Sequence, residues 1–237
     1  MNKITSAQNQ QFKELKRILR QPTKSSFVLL EGYRAYEQLK EDGLPMEIFL
    51  EEGQEPIEGA TMLSKKLFKE LVVTENPQGI FCKVEKREKP FDKGMILLLD
   101  GIQDPGNLGT LLRSAHAFGV NNVLLMKGSC SIYNDKVLRS SMGAIMNLSI
   151  HEKAGVEEVE KYLEEGYRLI CAEMQGKSYK ELEPGKLMLC IGNEANGIRQ
   201  EIKELCTQEY TIPMKGTQES LNAAIAGSIF MAHLQEE

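Results

Sequence analysis

The sequence lacks the features that mark several large classes of protein. No uninterrupted apolar run reaches the roughly 18 residues that suggest a membrane-spanning helix. The first five residues, MNKIT, lack the apolar core of a signal peptide, so we expect a cytoplasmic location. No G-x-G-x-x-G follows the first strand of the predicted main sheet, and no G-x-x-x-x-G-K-[ST] occurs. A nicotinamide or ATP site therefore has no motif to support it.

Metal and disulfide chemistry also have little support. The five cysteines form no C-x-x-C pair, and their odd number does not suit a disulfide framework. Cys171 and Cys190 lie in apolar segments, which predicts buried, reduced thiols. The histidines, His116, His151 and His233, are scattered along the chain, so we expect no metal site.

The net charge of −5 argues against an unselective binder of polyanions, but the charge is unevenly distributed. Residues 1–93 carry 16 Lys and Arg against 15 Asp and Glu, whereas the remainder carries 13 against 19. Residues 1–24 contain six basic residues and a single acidic one, Glu14. A local basic patch matters more than the total charge when the partner is RNA.

This basic segment predicts an amphipathic helix that begins after a Ser6 cap and ends at about Arg20. Its apolar side consists of Phe12, Leu15, Ile18 and Leu19, and its other side consists of Lys13, Lys16, Arg17 and Arg20. We name these four basic residues the basic face and interpret it as a candidate RNA contact. The alternative is the solvated face of an ordinary amphipathic helix.

The chain is long enough for one large or two modest domains. Residues 1–90 predict a small α/β domain, and the charged, aperiodic segment 85–94 is the best candidate for a linker. In residues 94–237, apolar strands at 95–99, 122–126, 168–172, 187–191 and 209–213 alternate with helices. This alternation predicts a parallel sheet with helices on both faces.

Three polar, glycine-containing loops follow apolar strands in the second domain, within residues 99–109, 190–198 and 211–227. Ligands of open α/β sheets collect at the carboxyl ends of strands, so we expect the loops to form one composite site. In the first loop, Asn107 is predicted to cap a helix that stops at Gly119. Arg113 points about 140° away from Leu108 in the buried stripe of that helix, so it is either a solvated arginine or one aimed into a cleft or a partner subunit.

The other two loops also allow a structural and a functional interpretation. Gly192 and Gly197 permit a tight turn and a close approach of the backbone to a ligand, or simply an ordinary turn. Glu194 would then only interact favourably with a helix dipole. Ser220 is predicted to cap the last helix, but capping does not explain the long polar loop 215–219 before it.

Taken together, the three loops resemble the motifs of the SpoU (TrmH-type) family of RNA ribose 2′-O-methyltransferases, in the SPOUT class. The first motif is DPGNLGTLLRSA at residues 104–115, and the second is IGNEANGI at residues 191–198. The third is IPM at residues 212–214, followed by ESLNAA at residues 219–224. The segment KVLRSSMGA at residues 136–144 also fits, and residues 27–32 resemble the substrate-binding domain that many members carry.

The resemblance implies a parallel α/β sheet with a deep C-terminal trefoil knot, preceded by a small α/β RNA-binding domain. It implies S-adenosylmethionine bound in the knot and a homodimer whose active site draws on both subunits. The cofactor would be held by Gly192, Asn193, Ile212, Met214 and Leu221, and the reaction centre would be lined by Asn107, Arg113, Glu194, Ser220 and Asn222. Arg139 is a candidate contact for RNA phosphate, with a plain surface charge as the alternative.

A ribose hydroxyl is a weak acid and a poor nucleophile, so a site that methylates it must align the reacting atoms and remove a proton. Arg113 matches the family's proposed activating residue. A guanidinium normally stays protonated and is therefore a poor base. Arg113 could equally act as a bidentate clamp on the substrate phosphate. We expect Asn107, Glu194 and Asn222 to fix Arg113 and the loops by hydrogen bonds.

The resemblance leaves the RNA substrate open, and the N-terminal domain favours ribosomal RNA over tRNA because it suggests a large structured substrate. Two other hypotheses remain. One is a non-catalytic RNA-binding relative that keeps the fold, although this chain retains all the motif residues. The other is a small-molecule enzyme that uses S-adenosylmethionine, which the N-terminal domain and its basic face disfavour.

Overall fold

The computed structural model describes residues 2–217 and 220–235, and it divides them into two compact units. Unit 1 comprises Met1–Arg87 and Tyr133–Met146, and unit 2 comprises Glu88–Ile132 and Asn147–Glu237. The boundary after Arg87 falls within the predicted linker, 85–94. In contrast, the segment Tyr133–Met146, which the sequence placed in the second domain, packs with unit 1.

The helices and strands are labelled in chain order. The first part contains β1 (Asn2–Ile4), α1 (Gln10–Arg20), β2 (Phe27–Glu31), α2 (Tyr33–Glu41), β3 (Met46–Glu51), β4 (Thr61–Leu63), α3 (Lys65–Lys69) and β5 (Ile80–Glu85). The rest contains β6 (Ile96–Leu99), α4 (Pro105–Ala117), β7 (Asn122–Met126), α5 (Asp135–Ser141), β8 (Ser149–Ala154), α6 (Val156–Glu164), β9 (Arg168–Ser178), β10 (Leu187–Ile191), α7 (Gln200–Glu204), β11 (Gln208–Thr211) and α8 (Ala223–Gln235).

Unit 1 is built on a mixed five-stranded sheet with the order β1-β4-β3-β5-β2. Strands β1, β4 and β3 pair in parallel, and β5 pairs antiparallel with both β3 and β2. Helix α1 buries Phe12, Leu15 and Ile18 in the core of this unit, as its sequence pattern predicts. Its cap is Asn9 rather than Ser6, because the Asn9 carboxamide accepts hydrogen bonds from the amides of residues 11 and 12.

Unit 2 is built on an all-parallel six-stranded sheet with the order β11-β9-β10-β6-β7-β8. Strands β6, β7 and β10 are buried along their whole length, which explains their uninterrupted apolar sequences. The chain runs outward from β6 to β7 and β8, and then returns to place β10 on the other side of β6. The order therefore reverses between β6 and β10, and such a switch point opens a crevice at the carboxyl ends of the strands.

Helices α4 and α8 pack closely against each other in unit 2. Gly227 of α8 permits this approach, since a Cβ there would lie 2.5 Å from Cδ2 of Leu111. The hydroxyl groups of Ser114 and Ser228 meet at 2.7 Å in the same contact. Two of the three motifs are thus fixed to each other through a helix pair.

The cap predicted for α4 was wrong by three residues. Asp104, not Asn107, is the cap, because its carboxylate accepts a hydrogen bond of 2.8 Å from the Asn107 amide and Pro105 suits the first helical position. The side chain of Asn107 is thereby left for other contacts. The predicted stop at Gly119 is confirmed, since α4 ends at Ala117 and Gly119 has a φ of 68°.

The cap predicted for α8 was also wrong. Asn222 takes the role expected of Ser220, because its Oδ1 accepts hydrogen bonds of 2.9 and 3.2 Å from the amides of Ala224 and Ile225. Residues 218 and 219, which belong to the predicted polar loop and the third motif, lie outside the described residues.

All five cysteines are free thiols, and Cys171 and Cys190 are fully buried, as the sequence predicts. Burial also raises the pKa of Cys82 to about 12. Among residues 2–217 and 220–235, no helix is both long and apolar enough to cross a membrane.

A hydrogen-bond cluster around the buried Asn122 fixes the chain as it enters the sheet of unit 2. One carboxylate oxygen of Asp92 accepts hydrogen bonds from the Gly94 amide at 2.7 Å and from Nδ2 of the fully buried Asn122 at 2.8 Å. The Asn122 Oδ1 accepts a hydrogen bond in return from the Asp92 amide at 3.1 Å. These contacts, the Gly94 amide first, lower the pKa of Asp92 below its usual value.

This depressed pKa predicts a pH-dependent contribution to stability. The ionised carboxylate stabilises the fold above its unfolded pKa of about 3.9, and the contribution is lost as the pH falls through the lower folded pKa. We expect Asp92→Asn to lower the free energy of unfolding at neutral pH, and the difference from wild type to shrink in acid. Urea unfolding of both proteins at a series of pH values measures this difference in the free energy of unfolding. In an Asn122→Ala background the effect should diminish, and a difference independent of pH would contradict this role.

Candidate active site

A cavity of about 650 Å³ opens beside the middle of β9 and the carboxyl ends of β10 and β11 in unit 2. Its walls come from these parts of the strands, from the loop after β10 and from the start of α8. The lining residues are Ala172, Glu173, Met174, Gln175, Ile191, Gly192, Asn193, Glu194, Ala195, Gly197, Ile198, Thr211, Ile212, Met214, Ser220, Leu221, Ala223, Ala226 and Phe230. All five residues predicted to hold the cofactor are among them.

The loop after β10 folds into a small closed turn at the mouth of this cavity. The backbones of Asn193 and Gly197 exchange two hydrogen bonds of 2.9 Å. Gly192 lies against the far side of the turn, where a Cβ would come within 2.5 Å of the Gly197 carbonyl carbon. Position 192 therefore accepts only glycine without displacement of the turn, so the backbone itself forms this wall of the cavity.

The side chain of Asn193 holds the turn rather than facing a ligand. Its Oδ1 accepts hydrogen bonds of 2.9 Å from the amides of Ala195 and Asn196. Its Nδ2 donates a hydrogen bond of 2.7 Å to the carbonyl of Gly101, in the first loop. Asn193 thus joins two of the predicted loops, and what remains for a cofactor at this position is mainly its backbone.

Three of the predicted reaction-centre residues form one hydrogen-bonded chain. Asn107 Nδ2 donates to Glu194 Oε1 at 2.6 Å, and Asn222 Nδ2 donates to Asn107 Oδ1 at 2.9 Å. The direction of the chain follows from the cap of α8, which uses the Asn222 oxygen and leaves its Nδ2 to donate. The three motifs therefore meet, as expected, through one residue from each.

Arg113 does not take part in this chain. It projects from the exposed face of α4, and within residues 2–217 and 220–235 it forms no hydrogen bond or ion pair. The predicted hydrogen bonds from Asn107, Glu194 and Asn222 to Arg113 are thus not made within this chain. Ser220 is exposed and lines the cavity.

The predicted RNA contacts lie in unit 1. Lys13, Arg17 and Arg20 of the basic face are exposed on α1, whereas Lys16 forms an ion pair of 2.7 Å with Glu70. Arg139 of α5 pairs with Asp135 one turn earlier.

Arg139 also lines a second cavity, of about 210 Å³, in unit 1. Arg34, Glu31 and Thr74 line it too. Thr74 donates a hydrogen bond of 2.6 Å to Glu31, and burial raises the pKa of the Glu31 carboxyl group.

Two ion pairs near the main cavity were not anticipated. Arg199 binds the buried Asp100, with Nη2 and Oδ1 at 2.5 Å. Lys203 lies 2.6 Å from Oε1 of Glu173, and this contact raises the pKa of Lys203. The second is an ion pair without hydrogen-bond geometry, which leaves the buried Oε1 without a directed hydrogen bond. The only signal in the sequence was an acidic residue next to a buried strand, which does not identify its partner.

Comparisons with known proteins identify the family of the chain. Residues 94–232 match the family model described as the SpoU rRNA Methylase family. The chain is 33% identical over 248 residues to the 23S rRNA (guanosine(2553)-2′-O)-methyltransferase RlmP of Bacillus subtilis (strain 168), with 99% of this chain and 100% of that protein covered.

Two solved structures show the same fold along nearly the whole chain. An RNA 2′-O ribose methyltransferase superposes with a TM-score of 0.79 and 26% identity, covering 99% of this chain and 98% of that one. An AdoMet-bound rRNA methyltransferase from Sinorhizobium meliloti superposes with a TM-score of 0.81, covering 99% and 97%; its 21% identity shows the fold alone.

These findings confirm the predicted α/β fold with its parallel sheet, whereas the trefoil knot stays a prediction. The match to the family model covers more than half of the chain and includes all three motifs. The relative from Bacillus subtilis aligns over the full length of both proteins. The chain belongs to the SpoU rRNA Methylase family.

Proposed function

We propose that this protein transfers a methyl group from S-adenosylmethionine to a ribose 2′-hydroxyl of ribosomal RNA. The observation that carries the proposal is the hydrogen-bonded chain of Glu194, Asn107 and Asn222 beside the main cavity. It brings one residue from each family motif to the edge of a single pocket. Membership of the family and full-length similarity to RlmP favour ribosomal RNA over tRNA.

The residues around the main cavity fit S-adenosylmethionine. A volume of about 650 Å³ lies within the roughly 300–1,000 Å³ typical of small-molecule sites. Backbone lines it at Gly192, where no side chain fits, and apolar side chains line it at Ile212, Met214 and Leu221. When bound, S-adenosylmethionine supplies a methyl group on a positively charged sulfur. We infer that the family's trefoil knot shapes the segment around these residues.

The chemical task left to the protein is to orient and deprotonate the ribose hydroxyl. The side chains of Asn107 and Asn222 are committed to each other and to the cap of α8, so they hold Glu194 at a fixed position. This prior ordering reduces the entropy lost when the substrate binds. A carboxylate at this position suits the binding of a cationic or hydroxyl group, since it can only accept hydrogen bonds when ionised.

We propose that Arg113 acts on the substrate of a partner subunit in a homodimer. The exposure of Arg113, and its lack of a hydrogen bond or ion pair within residues 2–217 and 220–235, leave its five donors available. A guanidinium can clamp a phosphate in two places and stabilise an oxyanion that develops beside it. Whether it also removes the proton is a separate question that charge-conserving variants address.

RNA recognition is assigned in this proposal to unit 1. Lys13, Arg17 and Arg20 present an exposed stripe at helical spacing, and Arg34 and Arg139 line the small cavity. Phosphate contacts from such groups release counterions and supply affinity without sequence specificity. The predicted cytoplasmic location follows from ribosomal RNA as the substrate.

The proposed reaction is tested by incubating the protein with labelled S-adenosylmethionine and transcripts of ribosomal RNA or tRNA, and by mapping 2′-O-methylated nucleotides. We expect labelled ribose in ribosomal RNA only.

Arg113→Ala should reduce turnover by at least about 100-fold, the usual scale for loss of a transition-state donor, with S-adenosylhomocysteine binding unchanged. Arg113→Lys should retain part of the activity if charge alone suffices. Thr110→Ala, on the same exposed helix face, is the matched control, and full turnover by Arg113→Ala would remove Arg113 from the mechanism.

Mixing two inactive variants shows whether Arg113 acts in the site of its own subunit or in the site of the partner subunit. A dimer of one Arg113→Ala subunit and one Asn107→Ala subunit regains one intact site if the arginine acts across the interface. A statistical mixture should then recover about a quarter of wild-type turnover, because half of the dimers are mixed and each has one good site. No recovery would place Arg113 in its own chain's site.

The cofactor assignment predicts a specific effect of Gly192→Ala. The added Cβ must displace the turn at Gly197, so affinity for S-adenosylhomocysteine should fall at least about tenfold, or 1.4 kcal/mol. Isothermal titration calorimetry measures it. Gly166→Ala is the control for backbone strain elsewhere in unit 2. Its φ of 89° disfavours alanine, but a Cβ there meets no atom within 4 Å, so affinity for S-adenosylhomocysteine should be unchanged. Undiminished binding by Gly192→Ala would place the cofactor elsewhere.

The basic face predicts a change in the salt dependence of RNA binding. Substituting Lys13, Arg17 and Arg20 by alanine should make the log–log slope of affinity against salt shallower by about 2–3 units, at roughly 0.7–0.9 per phosphate contact. Lys16 is left in place because it already pairs with Glu70. A triple alanine variant of the exposed lysines of α3, Lys65, Lys66 and Lys69, is the control. An equal slope in the α1 variant and wild type would reject this surface.

A further inference from the structure

An ion pair with a buried carboxylate lies at the end of the loop that carries Glu194. Asp100 is the first residue after β6, and Arg199 is the last residue before α7. Arg199 donates from Nε to Oδ1 of Asp100 at 2.6 Å and from its backbone amide to Oδ2 at 2.8 Å. Both carboxylate oxygens are therefore occupied by the same residue, through its side chain and its main chain.

The burial of this pair distinguishes it from an ordinary surface salt bridge. The side chain of Asp100 is 3% exposed and that of Arg199 is 33% exposed. Exposed pairs contribute little, whereas a buried carboxylate without its partner is strongly unfavourable. The structure around Asp100 thus depends on Arg199 staying in place.

The Arg199 guanidinium also contacts the chain just after β7. Nη2 of Arg199 also donates to the carbonyl of Lys127, the residue after β7, at 2.7 Å. Arg199 therefore ties the loop after β10 to the carboxyl ends of β6 and β7. Lysine could not make these contacts together, because the planar guanidinium presents several donors in fixed directions and an ammonium does not.

The loop that presents Glu194 is held at both ends by contacts of this kind. At its start, Asn193 donates to the carbonyl of Gly101. At its end, Arg199 binds Asp100, the neighbour of Gly101. Glu194 lies between the two attachments and contacts Asn107, which belongs to the helix that follows Asp100 and Gly101.

We propose that Asp100 and Arg199 are positioning residues of the active site, which set the location of Glu194 and of the cofactor-lining turn. Neither residue lines the main cavity, so their effect passes through the loop between β10 and α7. The assignment to catalysis rests on the proposed function, whereas the effect on the turn itself does not. Misplacement of a reacting group by about 1 Å can cost roughly 100-fold in rate, so a loosened loop has a measurable effect.

The test compares Arg199→Ala, Arg199→Lys and Asp100→Asn in the full-length protein. At a temperature where all variants are folded, Arg199→Ala should weaken S-adenosylhomocysteine binding and lower kcat, each by about tenfold or more, with KM for RNA changed less than about twofold. Arg199→Lys should fall between wild type and alanine, and Asp100→Asn should resemble Arg199→Ala. Combining Asp100→Asn with Arg199→Ala should cost little more than either change alone, because both remove the same contact.

The control for simple loss of stability is Val159→Ala, a buried change on α6 outside the cavity lining. It should lower the melting temperature with affinity for S-adenosylhomocysteine and kcat preserved. If Arg199→Ala and Arg199→Lys lose only stability as Val159→Ala does, the proposal is wrong. The measurement of S-adenosylhomocysteine binding needs no RNA. Weakened binding in the variants therefore supports the positioning of the turn even if the wild type methylates no RNA tested. That failure to methylate would overturn only the proposed function.

Discussion

All six strands of the unit 2 sheet run in the same direction, and the place of the candidate active site follows from that constraint. Parallel strands bring their carboxyl ends to one edge, so loops far apart in sequence become neighbours. The order reverses between β6 and β10. Asn107, in the first turn of α4, follows β6, and Glu194, in the loop after β10, follows β10. The cavity then forms between the loop after β10, the end of β11 and the start of α8.

Much of this arrangement can be predicted from the sequence because its signals are local. The buried strands β6, β7 and β10 are continuous apolar runs, and the three motifs follow strands at recognisable spacing. Edge strands are harder to find, because β8 consists mostly of polar residues and is partly exposed. The cap errors arose because Asp104, Asn107, Ser220 and Asn222 are all acceptable cap residues, and only the path of the chain decides between them.

Contacts between distant residues could not be predicted from the sequence. Asp100 and Arg199 are 99 residues apart, and neither forms a recognisable pattern alone. The packing of Tyr133–Met146 with unit 1 likewise depends on contacts between α5 and β2, which lie about a hundred residues apart in the chain. Arg113 could not be placed for a different reason. The sequence predicts its helix and its position away from the buried stripe, but in the dimer that we propose, the group on which it acts belongs to the partner subunit's site.

Asn222 performs two tasks that no other common side chain combines. Its oxygen accepts hydrogen bonds from two amides at the start of α8, while its nitrogen donates to Asn107. Aspartate would keep the cap but place a second acceptor against the Asn107 oxygen, and serine would keep the cap without reaching it. Glutamine carries the same amide on a longer stem, which does not suit the cap. Helix initiation and active-site assembly thus share one carboxamide, so the substitutions tolerated at position 222 are the intersection of two separate requirements.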